Sequence, residues 1–524
     1  MAKITENKII WDSSDWVQGL NEQYGISTAN KPMGNSLNNV QAFDPYRVIG
    51  YAMPGYLPAS LTNNAVVDAV ILKAVSFSTG KEYGITATKK LMEFSSTTIT
   101  NNATFPHTVN DGNGDVSSLS DVIVYNSKVS SAGGNDPATN RVFYSWNRSA
   151  GLTWGVGMWA RLGDAAFYDD FMKTRPATPL SNTTGGYNYP HPMIVGDDDL
   201  LYIGDGNRLH AFDGQFAGDV DGKVYESVLT VPANQVIKSF EKYNGFLLIF
   251  VDENPTGVSY ASQAKVYFWD YLSLDPTYIK NLNDGLVTES FIYNGKVGCF
   301  TSGRRYDIGN SNTGKIQFLE GNEFAPSIFF NDSLPVRGGV SVASNQLRWN
   351  SSGKMYTYGN NMRLPATMNI VAKGSGTTSG MLSDGSGTLL MSSGTTTAGG
   401  LQSLSANYDY SAYFQTTSVE PDFGTRKKGR VKRVKIIFGN TNASTADKLT
   451  VKLYYDRGGN SVTIATVQEI TADTLVMQYE HDTSGNPLPD FESLSLRCEW
   501  GSGTIHTSTP WISSIEVEYE TINA

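Results

Sequence analysis

YNGFLLIFVDENPTGV (243–258) sets an Asn-Gly pair directly before a run of six apolar residues. Asn-Gly between apolar runs is the strongest short-range hairpin signal, because both central positions of a type I′ turn need positive φ. The unit recurs. Tyr293-Asn294-Gly295 and Phe212-Asp213-Gly214 are similar turns, and LLYIGDGNRLHAF (200–212), KVGCFTSGRRYDIG (296–309) and GVSVASNQLRW (339–349) read as similar hairpins. With Leu201, Leu248, Val297 and Val342 taken as equivalent, the steps are 47, 49 and 45 residues, and Val75 to Ile123 adds one of 48. Only Ile123 to Leu201 breaks the series, at 78, as though about 30 residues were inserted. Four short strands per ~40–50 residues is the period of a β-propeller blade, which buries its faces only against neighbouring blades. Six units can be counted, and the spacing does not separate six blades from seven.

Composition agrees with an all-β chain. Of 524 residues, 52 are Gly, 28 Tyr, 23 Phe and 9 Trp, and charged residues are 17%, against ~25% on average. Lys and Arg number 40 and Asp and Glu 50, giving a net charge of −10, which argues against a chain that binds nucleic acid along its whole length. No run approaches the ~18 apolar residues of a membrane span, so no membrane anchor is expected. The opening MAKITENKIIWDSSDW has no apolar signal-peptide core. Cys299 and Cys498 share no CxxC motif, which excludes a disulfide framework and a Cys-based zinc site.

Residues 1–61 place Trp11, Trp16, Tyr24, Tyr46, Tyr51 and Tyr56 among Asn, Gly and Pro without a period. They read as an extended aromatic arm lying over another surface, or as a strand packed on its own domain. The β-propeller is expected over 62–373, with the insertion near 150–190 and a helix of two or three turns over 164–173. Residues 374–403 are almost all Gly, Ser and Thr. Such a stretch reads as a linker, although Leu382, Leu389, Leu390 and Met391 also allow a flat strand pair within a neighbouring assembly. KRVKIIF (432–438), KLTVKLYY (448–455), TLVMQYE (474–480), SLSLRCEW (493–500) and SSIEVEYE (513–520) alternate as half-buried strands, so 404–524 is expected to be a β-sandwich or jelly roll.

Motifs for chemistry are sparse. GNSNTGKI (309–316) nearly matches a P-loop, but Ile316 replaces the Ser/Thr that would hold Mg²⁺ and no helix is expected to follow. SWNRSAGLTW (145–154) resembles the Asp-box of sialidase-type propellers through Gly151, Thr153 and Trp154, with Asn147 for the Ser and Ser149 for the Asp. That box is structural, and no motif locates the three-Arg cluster or the nucleophile pair that a sialidase needs. Asp111, Asn113 and Asp115 alternate as in a calcium loop, but Val116 stands where Gly is required. Asp197–Asp199 and Asp219/Asp221 are similar acidic turns, and Asp is a default turn residue. No nucleophile elbow is present. No catalytic residue, metal or cofactor is therefore expected. RKKGRVKRVK (426–435) holds seven basic residues in ten. It reads as a strand facing an acidic partner or nucleic acid, or as an edge strand kept monomeric by its charge.

The stretch YFQTTSVEPDFGTRKKGRVKRVKIIF (413–438), followed by ISSIEVEYE (512–520), resembles the β-sandwich modules of tailed-bacteriophage virion proteins. IIWDSSDWVQGL near the start and YAMPGYLPASL (51–61) are similar to phage structural proteins. The resemblance implies a tail nozzle, hub or tail-tubular subunit: a non-enzymatic virion protein, made in the host cytoplasm, whose homo-oligomeric ring contacts portal, adaptor or tail subunits and passively surrounds genomic DNA. Trp11, Trp16, Trp154, Trp159, Arg426, Lys427, Lys428, Arg430, Lys432, Arg433 and Lys435 are the expected subunit-interface residues. The alternative is a glycan-binding or glycan-cleaving propeller on a host-recognition structure.

Overall fold

The computed structural model describes residues 3–12, 37–41 and 56–523, less 111–115, 128–138, 149–153, 160–166, 173–189, 217–221, 254–263, 283–285, 304–312, 331–333, 352–353, 360–365, 370–377, 384–388, 409–411, 424–426, 441–447, 457–458, 470–474, 501–510 and a few single positions. Its described regular structure is strand throughout, apart from one short 3₁₀ turn at Asn64–Val66.

Seven four-stranded antiparallel sheets follow one another along the chain. Their first strands are Ile71–Ser78, Val116–Ser127, Met193–Val195, Val236–Tyr243, Val287–Tyr293, Val340–Ala343 and Thr378–Ser383. Each first strand lies against the next, and Thr378–Ser383 lies against Ile71–Ser78, which closes the ring. These sheets are blades 1 to 7 of a β-propeller. The fourth strand of blade 7 is Tyr56–Ser60, which pairs with Gly399–Tyr408 and ties the ring shut with an N-terminal strand.

Each seam between blades has its own hydrophobic cluster. Tyr83, Trp146 and Trp159 fill the seam between blades 1 and 2; Phe143, Trp154 and Phe212 fill that between 2 and 3. Further clusters join blades 3 to 4, 4 to 5 and 5 to 6, and Ile71, Phe94 and Met381 join 7 to 1. The seam between blades 6 and 7 is the smallest, built from Met355, Leu382, Leu389 and Met391.

Residues 374–403, read from composition as a linker, instead supply blade 7 with Thr378–Ser383, Leu390–Gly394 and the start of Gly399–Tyr408. The propeller therefore extends over 56–408. Glycine is required there by close approach: a Cβ on Gly399 would lie 2.0 Å from the Ala69 carbonyl oxygen, and one on Gly380 2.2 Å from that of Ile71.

The Asn-Gly turns form as their chemistry demands, with φ of 51° and 79° at Asn244 and Gly245 and 49° and 72° at Asn294 and Gly295. They join the first two strands of blades 4 and 5. Gly214, by contrast, lies within the strand Arg208–Phe216 where its pairing slips, so Phe212-Asp213-Gly214 is an irregularity and not a turn. The residues used to count repeats also mix positions. Val75, Ile123 and Val342 lie on first strands, while Leu201, Leu248 and Val297 lie on second strands. The long interval remains between Val116 and Met193. Within it, Phe167–Tyr168 is the outer strand of blade 2 where a helix was expected.

After the propeller, two antiparallel sheets share one core. One contains Lys3–Thr5, Lys8–Trp11, Trp511–Asn523, Lys427–Asn440, Val476–Tyr479 and Asp490–Phe491; the other Leu37–Gln41, Tyr413–Thr416, Leu494–Trp500, Lys448–Tyr455 and Asn460–Glu469. Buried residues from both, among them Trp11, Phe414, Ile436, Leu453, Leu496 and Val517, form one cluster. The described parts of the N-terminal segment are thus distributed through the chain's own sheets: two strands in the first of these sheets, one in the second, and one in blade 7.

Candidate functional site

The first strands of blades 1, 2, 4 and 5 each carry one residue more than their partner strand near the start: Leu72, Ser120, Lys238 and Thr288. A β-bulge bends the strand and re-aims the side chains beside it. The residues that follow are Lys73, Asp121, Ser239 and Glu289. Because first strands line the ring axis, these four bulges bring polar groups from separate blades to a common centre.

Asp121, fully buried, anchors that centre. Its Oδ1 lies 2.6 Å from Lys73 Nζ and its Oδ2 2.5 Å from Arg337 Nη2. The Met193 amide donates to Oδ2 at 2.6 Å and the amide of Val122 to Oδ1 at 2.8 Å. Arg337 belongs to the segment leading into blade 6, and its Nη1 donates to the Lys238 carbonyl of blade 4 at 3.0 Å. The next residue, Gly338, donates its amide to Glu289 of blade 5. Gly338 has φ +81° and packs so closely that a Cβ would lie 2.6 Å from the Leu72 carbonyl oxygen of blade 1. One short segment from blade 6 thus reaches blades 1, 2, 4 and 5 across the ring centre.

Two further carboxylates face the cluster. Burial and the neighbouring Glu289 push the Glu241 carboxyl up to about 8, against smaller opposing effects of Ser290 and Lys73. Glu289 is also raised by burial, although Arg337 and Lys73 pull it the other way. Both side chains are half-buried. Nearby, Ser239 and Ser290 hydroxyls share a hydrogen bond of 2.6 Å, and Lys238 Nζ stands 3.7 Å from the buried Asp252. Burial raises Asp252 to about 6, against the pull of Lys238. Chemically, the centre combines a carboxylate whose oxygens are taken by two cations and two amides with a second carboxyl, Glu241, that keeps its proton at neutral pH.

Two other polar groupings lie in the seams. His191 is buried against Trp154, with ring centroids 4.1 Å apart, and burial lowers it to about 4. His107 lies 3.1 Å from Asp169, which also accepts from the Tyr144 hydroxyl, and it stacks on Phe167 at 3.6 Å. Among the described residues no three His, Cys, Asp or Glu gather as metal ligands.

The residues expected at a subunit interface occupy other environments. Trp11, Trp154 and Trp159 are buried in the chain's own cores, which removes them from an exposed contact surface. Trp16 and Arg426 lie outside the described residues. On the strand Lys427–Asn440, Lys427 is exposed, while the other basic residues meet carboxylates on or just beyond neighbouring strands: Lys428 with Glu492 (3.6 Å), Arg430 with Asp490 (2.7 Å), Lys432 with Glu520 (2.7 Å), Arg433 with Glu480 (3.1 Å) and Lys435 with Glu518 (2.8 Å). This strand is central in its sheet, and its positive charge is matched from within the chain. Lys315, from the near P-loop, is buried in the strand Thr313–Glu320, with residues 309–312 outside the described set. The calcium-like loop 111–115 and Asp219/Asp221 also lie outside it. Asp197–Asp199 form an exposed turn in which Asp199 has φ 63°.

Sequence reading missed Lys73, Asp121, Glu241, Glu289 and Arg337. The available signal was a single charge within an otherwise apolar first-strand pattern, as in VILKAVSF and LVTESFIY.

No protein-family model matches the chain, and no curated protein matches it. Solved structures that resemble it include an exo-β-1,3-galactanase from Phanerochaete chrysosporium (11% identity, 88% of this chain and 99% of that chain, TM-score 0.30). The Pan2 WD40 domain of Neurospora crassa is similar over 67% of this chain and 97% of its own, at 9% identity and TM-score 0.42. A protein described as a glycoside hydrolase is similar at 12% identity, over 87% and 99%, with TM-score 0.28. The expectation of a non-enzymatic chain is corrected by these neighbours, since hydrolases stand among them. Likenesses of this depth assign no particular activity.

Proposed function

We propose that this chain is a glycan-binding or glycan-cleaving β-propeller carried on a host-recognition structure of a virion. The carrying observation is the pair Glu241 and Glu289 at the ring centre, where Glu241 holds its proton to about pH 8. A carboxyl that keeps its proton can bind sugar hydroxyls or protonate a glycosidic oxygen, with a second carboxyl beside it. The Gly338 amide holds Glu289, and the neighbouring Arg337 is itself held by Asp121. The test is a panel of surface polysaccharides incubated with wild type, Glu241→Gln and Glu289→Gln, reading bound sugar and new reducing ends. Binding or release that both substitutions weaken supports the proposal; a wild type that neither binds nor cleaves any of them refutes it.

A second reading, a ring subunit of a phage tail or head-to-tail channel beside portal or adaptor proteins, is favoured by a different surface. Leu272 and Leu274 are each 89% exposed, and Tyr278 and Ile279 on the outer strand of blade 4 are more than half exposed. Large apolar side chains exposed within one short stretch of chain are of the kind that marks an interaction surface. Symmetry-resolved electron microscopy of the intact particle tests it: copies arranged around the tail axis support it, and a copy without like neighbours defeats it.

A further inference from the structure

We infer that the turn at 336–339 is the positioning element of the axial site: clamped on the ring axis by the surrounding blades, it fixes where the Glu289 carboxyl stands. What that carboxyl does there rests on the glycan reading above; the inference names what holds it in place. Glu289 follows the extra residue Thr288 at the start of blade 5. A bulge re-aims a strand there, but it does not choose among the staggered rotamers of a long side chain. A binding or catalytic group works only when held within about 0.5 Å of its productive geometry. Something outside the strand must therefore hold this carboxyl. The Gly338 amide does so directly, donating to Glu289 Oε2.

The turn itself is held from every side. The Gly339 amide closes it by donating to the Val336 carbonyl at 2.9 Å. The Gly338 carbonyl accepts from the Leu382 amide of blade 7 at 3.0 Å, and the Gly339 carbonyl from the Asn350 amide of blade 6 at 2.9 Å. Arg337 reaches Asp121 of blade 2 and the Lys238 carbonyl of blade 4, and Gly338 packs on Leu72 and Lys73 of blade 1. Blade 3 joins through the Met193 amide on Asp121. Every blade thus bears on the turn that carries the donor to Glu289. The two glycines let it fit. A Cβ on Gly338 would lie 2.6 Å from the Leu72 carbonyl oxygen and 2.8 Å from Lys73 Cα. One on Gly339 would lie 2.9 Å from the Val336 oxygen and 3.1 Å from that of Gly380. Arg337 is a positioning residue, since its bonds anchor the turn on two sides of the axis and it acts on Glu289 through the residue beside it.

The experiment follows the Glu289 carboxyl itself. The full chain is isotope-labelled at its glutamate carboxyls, the Glu289 signal is identified by its loss in Glu289→Gln, and its titration midpoint is read by NMR. Burial raises Glu289 and Asp121 adds to the rise, while Arg337, Lys73 and the Gly338 amide pull it down; Glu241 is the other carboxyl beside it. Gly338→Ala and Gly339→Ala change no charge but displace the turn, so the midpoint should rise as the amide bond is lost. Arg337→Lys keeps the charge but gives up the planar fork that spans two anchors, and should raise it too. Gly245→Ala, strained at a hairpin with open space around it, should leave the midpoint in place, which separates loss of the turn's hold from general destabilisation. Gly339→Ala and Arg337→Lys keep the test alive if Gly338→Ala does not fold. The same proteins are then titrated calorimetrically with the surface polysaccharides of the panel, and any that wild type binds should bind the variants about tenfold or more weakly. A midpoint unmoved in the folded variants, or one that moves while binding is unchanged, overturns the positioning role and leaves the glycan reading intact. A midpoint that moves in a protein whose wild type binds no glycan refutes the glycan reading and supports the hold of the turn on Glu289.

Discussion

Arg337→Ala should measurably loosen the propeller, although Arg337 lies outside every hydrophobic seam. The substitution leaves Asp121, fully buried, with Lys73 as its only cation. Removing one partner of a buried ion pair costs roughly 3–5 kcal/mol, and the surviving Lys73 contact places this case near ~3. Loss of the hydrogen bond to the Lys238 carbonyl adds about 1 kcal/mol. With ~2.1 cal/mol/K of unfolding entropy per residue over about 350 propeller residues, a loss of ~4 kcal/mol lowers Tm by roughly 5–6 °C. Differential scanning calorimetry reads the shift, with tryptophan fluorescence in urea as a second probe. Arg337→Ala combined with Asp121→Asn removes the stranded charge, and should cost at least ~1 kcal/mol less than the sum of the two single changes. A Tm drop under about 1 °C, or strict additivity of the pair, would refute the view that Arg337 locks the ring centre through Asp121.

His191, neutral in the fold to about pH 4, gains a proton near ~6.5 once unfolded. Its folded value is depressed, so the unfolded state binds more protons across that window. Stability should therefore fall by ~3 kcal/mol as pH drops from 7 to 4, with His191→Gln flattening the slope in urea titrations at stepped pH. Gly399→Ala drives a Cβ against backbone at 2.0 Å and should cost roughly 2–3 kcal/mol. Gly245→Ala meets no atom within 4 Å but needs φ +79°, so about 1 kcal/mol of backbone strain is expected in the same denaturation assay. Burial raises the thiols of Cys299 and Cys498, so a colourimetric thiol reagent should label neither in the folded protein and both in denaturant; rapid labelling under native conditions would contradict their placement.

What the sequence disclosed followed the range of the interactions concerned. The Asn244-Gly245 and Asn294-Gly295 hairpins were legible because the left-handed φ values are a property of two adjacent residues. Blade 7 was not. Its Gly, Ser and Thr carry the composition of a solvated linker, and the reason for the glycines lies in carbonyls of Ala69 and Ile71, some 300 residues upstream. The axial cluster was hidden for the same reason: bulges on three separate blades bring Lys73, Asp121 and Glu289 to one centre, and Arg337 joins them from the segment before blade 6. The basic run at 426–435 was visible, but the carboxylates that neutralise it come from 480–520, and pairing across a sheet is not written in either stretch alone.

The strand that ties the ring constrains how the protein can be made. Ser60 pairs with Gln402, and Trp11 with Ile515. At ~5–20 residues per second, the ribosome needs about 20–70 s between making the first and second halves of the blade 7 pairing. During that interval six blades can emerge and stack, while Tyr56–Ser60 has no sheet to join. Ring closure is therefore a late event, and until it occurs the nascent chain holds an open stack with two unpaired edges. Expression conditions that lengthen this interval, such as slow codons between 60 and 402, should raise the share of chains captured by chaperones or lost to edge-to-edge association.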